Sequence, residues 1–254
     1  MNYLHAIIFG IVQGFTEFFP ISSSGHLAIL HNLIGGEDIA LDVVLHLATL
    51  LAVIIFLLKD IKSIFKDFFT LNFKSQNFKM ALFIVTATIP VAVIGFLFRK
   101  IIERTFFNLQ VIALGFLISG IFLFFASNSN FKSRLNFKKS FVIGIAQALA
   151  ILPGISRSGS TISTGLLLGL ERKKAIKFSF LLAIPAIIGA NLLEFKEITK
   201  LNIAYSLVGF SFAFFSALLA LFLLFKYVKV KNLKYFAYYC WLLAVLLLIS
   251  AFIF

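Results

Sequence analysis

The sequence predicts an all-α integral membrane protein in which six transmembrane helices and two re-entrant helical hairpins are arranged as an inverted-topology repeat. Three observations predict it. Hydrophobic residues make up 61% of the 254 positions, only 13% are charged and mean hydropathy is +1.05, so the chain lacks the polar surface to cover a soluble globule. Six apolar runs are long enough to cross a hydrocarbon core of about 30 Å as helix. Two further apolar segments, each broken by a proline and a serine-rich stretch, match one another in sequence.

The six runs fall at 41–58, 80–98, 106–127, 175–193, 204–225 and 235–254. Pro90 and Pro185 lie inside two of them and are expected only to kink a crossing helix. No polar stretch between the runs is long enough for a soluble domain, so residues 1–254 read as a single membrane domain. The opening MNYLHAIIFG carries no Lys or Arg and leads to no A-x-A-like site, so no removable signal peptide is expected. Cys240, the single cysteine, lies in the last run, permits no internal disulfide and reads as inert core. The 34 phenylalanines are core bulk and lipid-facing surface.

A net charge of +13 raises the question of nucleic acid, but the basic residues cluster in loops between apolar runs. Membrane lipids, anionic ones especially, are therefore the expected partner and nucleic acid is not. Alternation of the six runs puts loops 59–79, 128–140, 171–174 and 226–234 on one side, with most of the lysines and arginines. The other side receives Arg99, Lys100, Arg104, Lys196 and Lys200. The positive-inside bias makes the first side cytoplasmic. Both termini then lie outside, 7–33 dips in from the outer face, and 141–170 enters and leaves by one face. Two charges fit neither side, Glu17 and Arg157. An ion at the bilayer centre costs roughly 2.5 to 3.5 kcal/mol on insertion scales, so each needs a reason to be there.

Both orphan charges sit in the matching segments. Residues 10–26, GIVQGFTEFFPISSSGH, shifted by 134 positions fall on 144–160, GIAQALAILPGISRSGS. Gly10, Ile11, Gln13, Ile21, Ser22, Ser24 and Gly25 recur as Gly144, Ile145, Gln147, Ile155, Ser156, Ser158 and Gly159, and Leu47, Ala52 and Ile54 recur as Leu181, Ala186 and Ile188. This is the pattern of a duplication, approximately 1–134 and 135–254. Each half holds one broken hairpin and three crossing helices; three is odd, so the halves are inverted and the hairpin tips are expected to meet near mid-membrane. Pro20 and Pro153 end the entering helices. The serines and glycines that follow can cap new helices, whose unpaired N–H groups suit an anion such as phosphate. Taken alone, each Ser/Gly run is also an ordinary turn. An interface position is the lesser reading of Glu17 alone; what favours a site further is that both charges and both loops point to one place.

These stretches resemble the two signatures of the undecaprenyl-pyrophosphate phosphatases of the bacitracin-resistance family. QGFTEFFPISSSGH follows the pattern (E/Q)xxxE with a later SS(S/T)GH, and LPGISRSGST follows PGxSRSxxT. The likeness extends over the whole chain in length, hairpin position and repeat order. It implies removal of the terminal phosphate from the isoprenoid diphosphate lipid, which recycles the carrier of peptidoglycan synthesis and confers bacitracin resistance. It also implies a divalent cation, Mg or Ca, and a site in the bacterial inner membrane open to the outer, periplasmic face.

Carried over position by position, the resemblance makes Gln13 and Glu17 the metal-facing pair, four apart on one helix face. Glu17, Ser23, His26 and Arg157 become the catalytic set. Ser23 is the candidate nucleophile with His26 as proton carrier, and direct attack by His26 is the alternative. Arg157 suits bidentate phosphate contact. Ser22, Ser24, Gly25, Gly154, Ser156, Ser158, Ser160 and Thr161 are the expected phosphate-binding positions. Gln13 stands where many members carry Glu, which leaves one fewer charged ligand for the metal. His5, His31 and His46 are read as packing residues. The rival reading is a secondary transporter or lipid flippase, since midplane broken hairpins in inverted repeats are also a transporter architecture. A homodimer is compatible with the sequence.

Overall fold

Where the chain turns helical follows its caps and its apolar runs. The computed structural model describes residues 3–34, 38–129, 133–196 and 202–253, and among these residues it holds helices and no strand. In order they are α1 (Tyr3–Phe18), α2 (Ser23–Ile34), α3 (Ile39–Phe56), α4 (Leu58–Phe69), α5 (Gln76–Thr105) and α6 (Leu109–Ala126). There follow α7 (Phe137–Leu149), α8 (Arg157–Leu167), α9 (Arg172–Leu193), α10 (Ile203–Lys226) and α11 (Leu233–Ile253). Asp38, Asn108, Asn136, Ser156 and Asn202 cap α3, α6, α7, α8 and α10 through side-chain oxygens that accept first-turn N–H groups.

Six helices are long and apolar enough to cross a membrane: α3, α5, α6, α9, α10 and the segment Val230–Ser250 that contains α11. Two expectations change. The stretch 99–105, read as a loop, continues α5 beyond the apolar run, because neither Pro90 nor the charges at Arg99, Lys100 and Arg104 break the helix. The start of the loop at 59–79 is the helix α4, whose Lys59, Lys62 and Lys66 alternate with Phe65, Phe68 and Phe69. Its buried side is Ile64 and the three phenylalanines are more exposed, the pattern of a helix lying along the membrane surface rather than through it.

The paired short helices are each shorter than the roughly 30 Å that a hydrocarbon core spans. At 1.5 Å per residue α1 and α2 (16 and 12 residues) span about 24 and 18 Å, and α7 and α8 (13 and 11) about 20 and 16 Å. The ends of the second hairpin lie together: ahead of α7, Ser133 donates its N–H to Gly169 O at 2.7 Å and its hydroxyl to Leu168 O at 2.9 Å, just after α8.

Packing between the halves is reciprocal. The entering arm α1 lies along α10 of the second half, and α7 lies along α5 of the first; α3 meets α9 and α6 meets α11. Glycine makes the two arm contacts close. A methyl at Gly10 would stand 2.5 Å from Gly209 O, and one at Gly144 2.4 Å from Ala87 O, so both arms pack backbone to backbone. Around them Phe18, Phe116, Phe178 and Phe180 fill the interior, while Phe96, Leu97, Leu192 and Phe215 face outward, as lipid requires.

Gly14 packs on α10 in the same way, since an added methyl would overlap Ser216 Oγ and lie 2.5 Å from Ala213 O and 2.7 Å from Ala217 N. Gly14→Ala should therefore cost about 1 to 3 kcal/mol through overpacking. A lowered thermal midpoint in detergent is expected; an unchanged one would contradict the packing of α1 on α10.

Candidate active site

The two hairpin tips touch, and the contact is again reciprocal. A methyl at Gly25 would lie 3.1 Å from Gly154 Cα, and one at Gly159 would lie 3.2 Å from Pro20 O. Each glycine thus abuts the proline-end turn of the other hairpin. The caps repeat too. Ser22 Oγ accepts from Gly25 N at 3.3 Å and Ser156 Oγ accepts from Gly159 N at 3.0 Å. Ser22 and Ser24 hydroxyls are 3.3 Å apart, as are those of Ser156 and Ser158. Ser158 Oγ then donates across the seam to Phe19 O at 3.1 Å.

The tips are conformationally demanding. Ser22 adopts φ 67° and Gly154 φ 86°, both left-handed. At 154 only glycine fits, because a Cβ would also stand 2.2 Å from Ile112 O. A serine at φ 67° carries strain of order 1 to 3 kcal/mol, a feature that clusters at functional sites.

Within this seam Glu17 is the hub. Its Oε1 accepts from Arg157 Nη2 at 2.6 Å; its Oε2 accepts from Ser23 Oγ at 2.6 Å and from Gln13 Nε2 at 3.1 Å. His46 Nε2 lies 3.8 Å from the same Oε2. The Glu17 side chain is 6% exposed and that of Arg157 14%, whereas His46 reaches 28%, so the pocket is most open on the His46 side. Arg157 also donates through Nη1 to Ser179 O at 3.4 Å.

Four of the expected residues are therefore in one contact network: Gln13, Glu17, Ser23 and Arg157. His26 is placed differently. Its Nδ1 donates to Ser22 O at 2.7 Å, which leaves Nε2 to accept the Tyr239 hydroxyl, also at 2.7 Å. Both ring nitrogens are thus engaged away from Ser23, and the ring lies between Phe116 and Tyr239. Ser160 and Thr161 likewise turn back, their hydroxyls donating to Arg157 O at 3.1 and 2.8 Å. Thr161 Oγ1 further pairs with Ser179 Oγ at 2.7 Å, so these side chains brace the first turn of α8.

The sequence reading missed His46, Ser119, Ser179 and Tyr239. Each comes from a crossing helix that carries no motif. His46 had one usable signal, its place one turn from Asp42 on α3; Ser119 had another, four residues after Gly115 on α6. Among the described residues no three His, Cys, Asp or Glu side chains gather as a metal centre would need. Gln13 Oε1, however, is a buried acceptor without a partner in the wall of this pocket.

Six helices long and apolar enough to cross a membrane, packed around two touching hairpin tips with a guanidinium and a carboxylate-bound serine between them, define a polytopic membrane protein with a buried polar pocket. The chain belongs to the family described as bacitracin resistance protein BacA, whose profile matches residues 6–246. It is similar to proteins named undecaprenyl-diphosphatase from several organisms. That of Thermosipho africanus is 44% identical over 247 residues, 96% of this chain and 98% of the relative. That of Thermosipho melanesiensis is 47% identical over 238 residues, 92% and 94% of the two chains, and that of Methanobrevibacter smithii 39% identical over 272 residues, 99% and 98%.

Removing one partner of a buried ion pair strands the other, a loss of about 3 to 5 kcal/mol, whereas removing both at once relieves it. Arg157→Gln should thus lower the thermal midpoint more than Glu17→Gln with Arg157→Gln together. Equal or additive losses would show that the two charges are not coupled.

Proposed function

We propose that this chain is an integral membrane phosphatase that hydrolyses undecaprenyl diphosphate to the monophosphate and phosphate, recycling the carrier lipid of peptidoglycan synthesis. The observation that carries the reading is the hydrogen bond from Ser23 Oγ to Glu17 Oε2, 2.6 Å long, with Arg157 on the other carboxylate oxygen. A serine whose proton already points at a carboxylate is an activated nucleophile beside a phosphate-binding guanidinium. The family and the names of its relatives supply the substrate class.

In this mechanism Ser23 Oγ attacks the terminal phosphorus and passes its proton to Glu17. The Oγ–P bond forms, the anhydride P–O bond breaks, and undecaprenyl phosphate departs with that proton. Water then attacks the phosphoserine, gives its proton to Glu17, and inorganic phosphate leaves as Glu17 returns the proton to Ser23. Arg157 holds the equatorial phosphoryl oxygens, and the N-terminal N–H groups of α2 and α8 supply further donors for charge that develops there. His26 keeps the tip in shape through Ser22 O, since neither of its nitrogens faces Ser23.

The residues fit a divalent cation that arrives with the diphosphate. Mg is commonly held by one or two carboxylates together with substrate phosphates and waters. Glu17 and the partnerless Gln13 Oε1 are the oxygens this chain would contribute. When bound, the cation neutralises phosphoryl charge as a Lewis acid.

The proposed duplication also argues against a transporter. The positions equivalent to Glu17 and His46 are Ile151 and Phe180. Phe180 is fully buried, 5.2 Å edge-on from Phe18 and 5.7 Å from Phe225. The inner counterpart of the pocket is therefore filled with hydrocarbon, which supports access from one side. The distribution of lysines and arginines supports that side being the outer face of the cytoplasmic membrane, with the tail entering sideways among lipid.

Purified protein incubated with undecaprenyl or farnesyl diphosphate and Mg or Ca should release phosphate. Absence of release with every divalent ion would overturn the reading. Arg157→Ala should reduce turnover by at least about 1,000-fold, and preserved activity would remove Arg157 from the mechanism. Chelation should stop turnover, while equilibrium dialysis without substrate should detect no tight metal; a tightly held resident ion would contradict delivery with the diphosphate.

A further inference from the structure

We infer that Ser119, on the crossing helix α6, is a positioning residue that sets Arg157 for phosphate contact; the inference rests on the proposed phosphatase reading. Ser119 is 1% exposed and lies a full helix away from either signature. Its hydroxyl donates to Gly154 O at 3.0 Å and accepts from Ser156 N at 2.8 Å. One side chain thus satisfies a carbonyl and an N–H of the left-handed turn that ends one residue before Arg157. At this depth neither group has water to turn to, so the bridge fixes the turn in one shape.

The approach of α6 to that turn is built for the purpose. Gly115 lies one helical turn before Ser119, and a methyl there would stand 2.3 Å from Pro153 O and 2.7 Å from Gly154 Cα. Gly115 admits the loop and Ser119 holds it. The rest of the bracing comes from α9, where Ser179 O takes Arg157 Nη1 and Ser179 Oγ pairs with Thr161. Ser119 controls the backbone that launches the guanidinium; Ser179 steadies its far end. The first hairpin has a counterpart arrangement, since Tyr239 of α11 holds His26, which holds Ser22 O. Each tip is therefore pinned by the last crossing helix of the opposite half.

The test is steady-state kinetics of Ser119→Ala, Arg157→Lys and the double variant on undecaprenyl diphosphate, with hydrogen exchange of the Ser156 amide. Misplacing a catalytic group by about 1 Å can cost about 100-fold. Ser119→Ala should lower kcat by about 10- to 100-fold with KM changed less than about threefold. In the Arg157→Lys background the same change should have little further effect, because the guanidinium it positions is gone. The Ser156 amide should exchange faster in Ser119→Ala. A kcat within twofold of wild type, or losses that simply multiply in the double variant, would overturn the inference. If Ser119→Ala does not fold, Ser119→Cys, which keeps the volume and weakens both hydrogen bonds, carries the same expectations. Wild-type protein that releases no phosphate would overturn the proposed function instead. Unchanged Ser156 exchange would then overturn the bridge on its own.

Discussion

The contact between Glu17 and Arg157 is the constraint to which the surrounding architecture answers. An acid and a guanidinium 2.6 Å apart, both largely withdrawn from solvent, are tolerable in a lipid-embedded protein only where each has several polar neighbours. Stability does not require the pair, since buried ion pairs can often be exchanged for packed hydrocarbon at no loss. On the proposed function its presence is explained by use. The remaining lone pairs of Glu17 go to Ser23 and Gln13, and the remaining donors of Arg157 reach Ser179, so the ions are neutralised yet leave a hydroxyl aligned on a carboxylate.

Holding that contact in place demands that irregular backbone be accommodated inside a helical protein. Two turns with left-handed residues, Ser22 and Gly154, meet where no bulk water can satisfy them. The chain resolves this with small residues that let helices approach and with single hydroxyls that bridge. Gly25, Gly115 and Gly159 bring backbones together; Ser119 and Ser158 take the carbonyls that result. The same residues that permit close approach also restrict freedom of movement, as a preorganised pocket requires.

Much of this was legible in the sequence because it depends on local pattern or on charge in the wrong solvent. Apolar run length gave six crossing helices, proline and serine placed the breaks, and two orphan ions in a recurring segment marked the pocket. What the sequence did not disclose involves orientation and distance along the chain. His26 belongs to a signature, yet its ring is aimed by Tyr239, which lies more than 200 positions away and carries no motif. His46 reads as a packing residue because only the fold carries α3 to Glu17. Helix α4 was hidden in a charged loop, since its phenylalanines were spread among lysines and never formed a run.

The proposed duplication accounts for a single charged seam between the two tips among the described residues. Under the proposed duplication Ser23 and Arg157 occupy the same position, so the nucleophile of one tip corresponds to the guanidinium of the other. A symmetric ancestor with like groups at both tips could have carried two serines or two arginines, but two guanidinium ions meeting across the seam would repel in a medium that screens poorly. Placing one of each, with Glu17 retained in the first half and Ile151 in the second, converts a symmetric junction into a polar one. Under the same reading Phe180 stands in the place of His46, its ring packed against Phe18. On that reading the direction from which an anion enters follows from three differences between equivalent positions, and the proposed inverted scaffold that brings the tips together offers no path through.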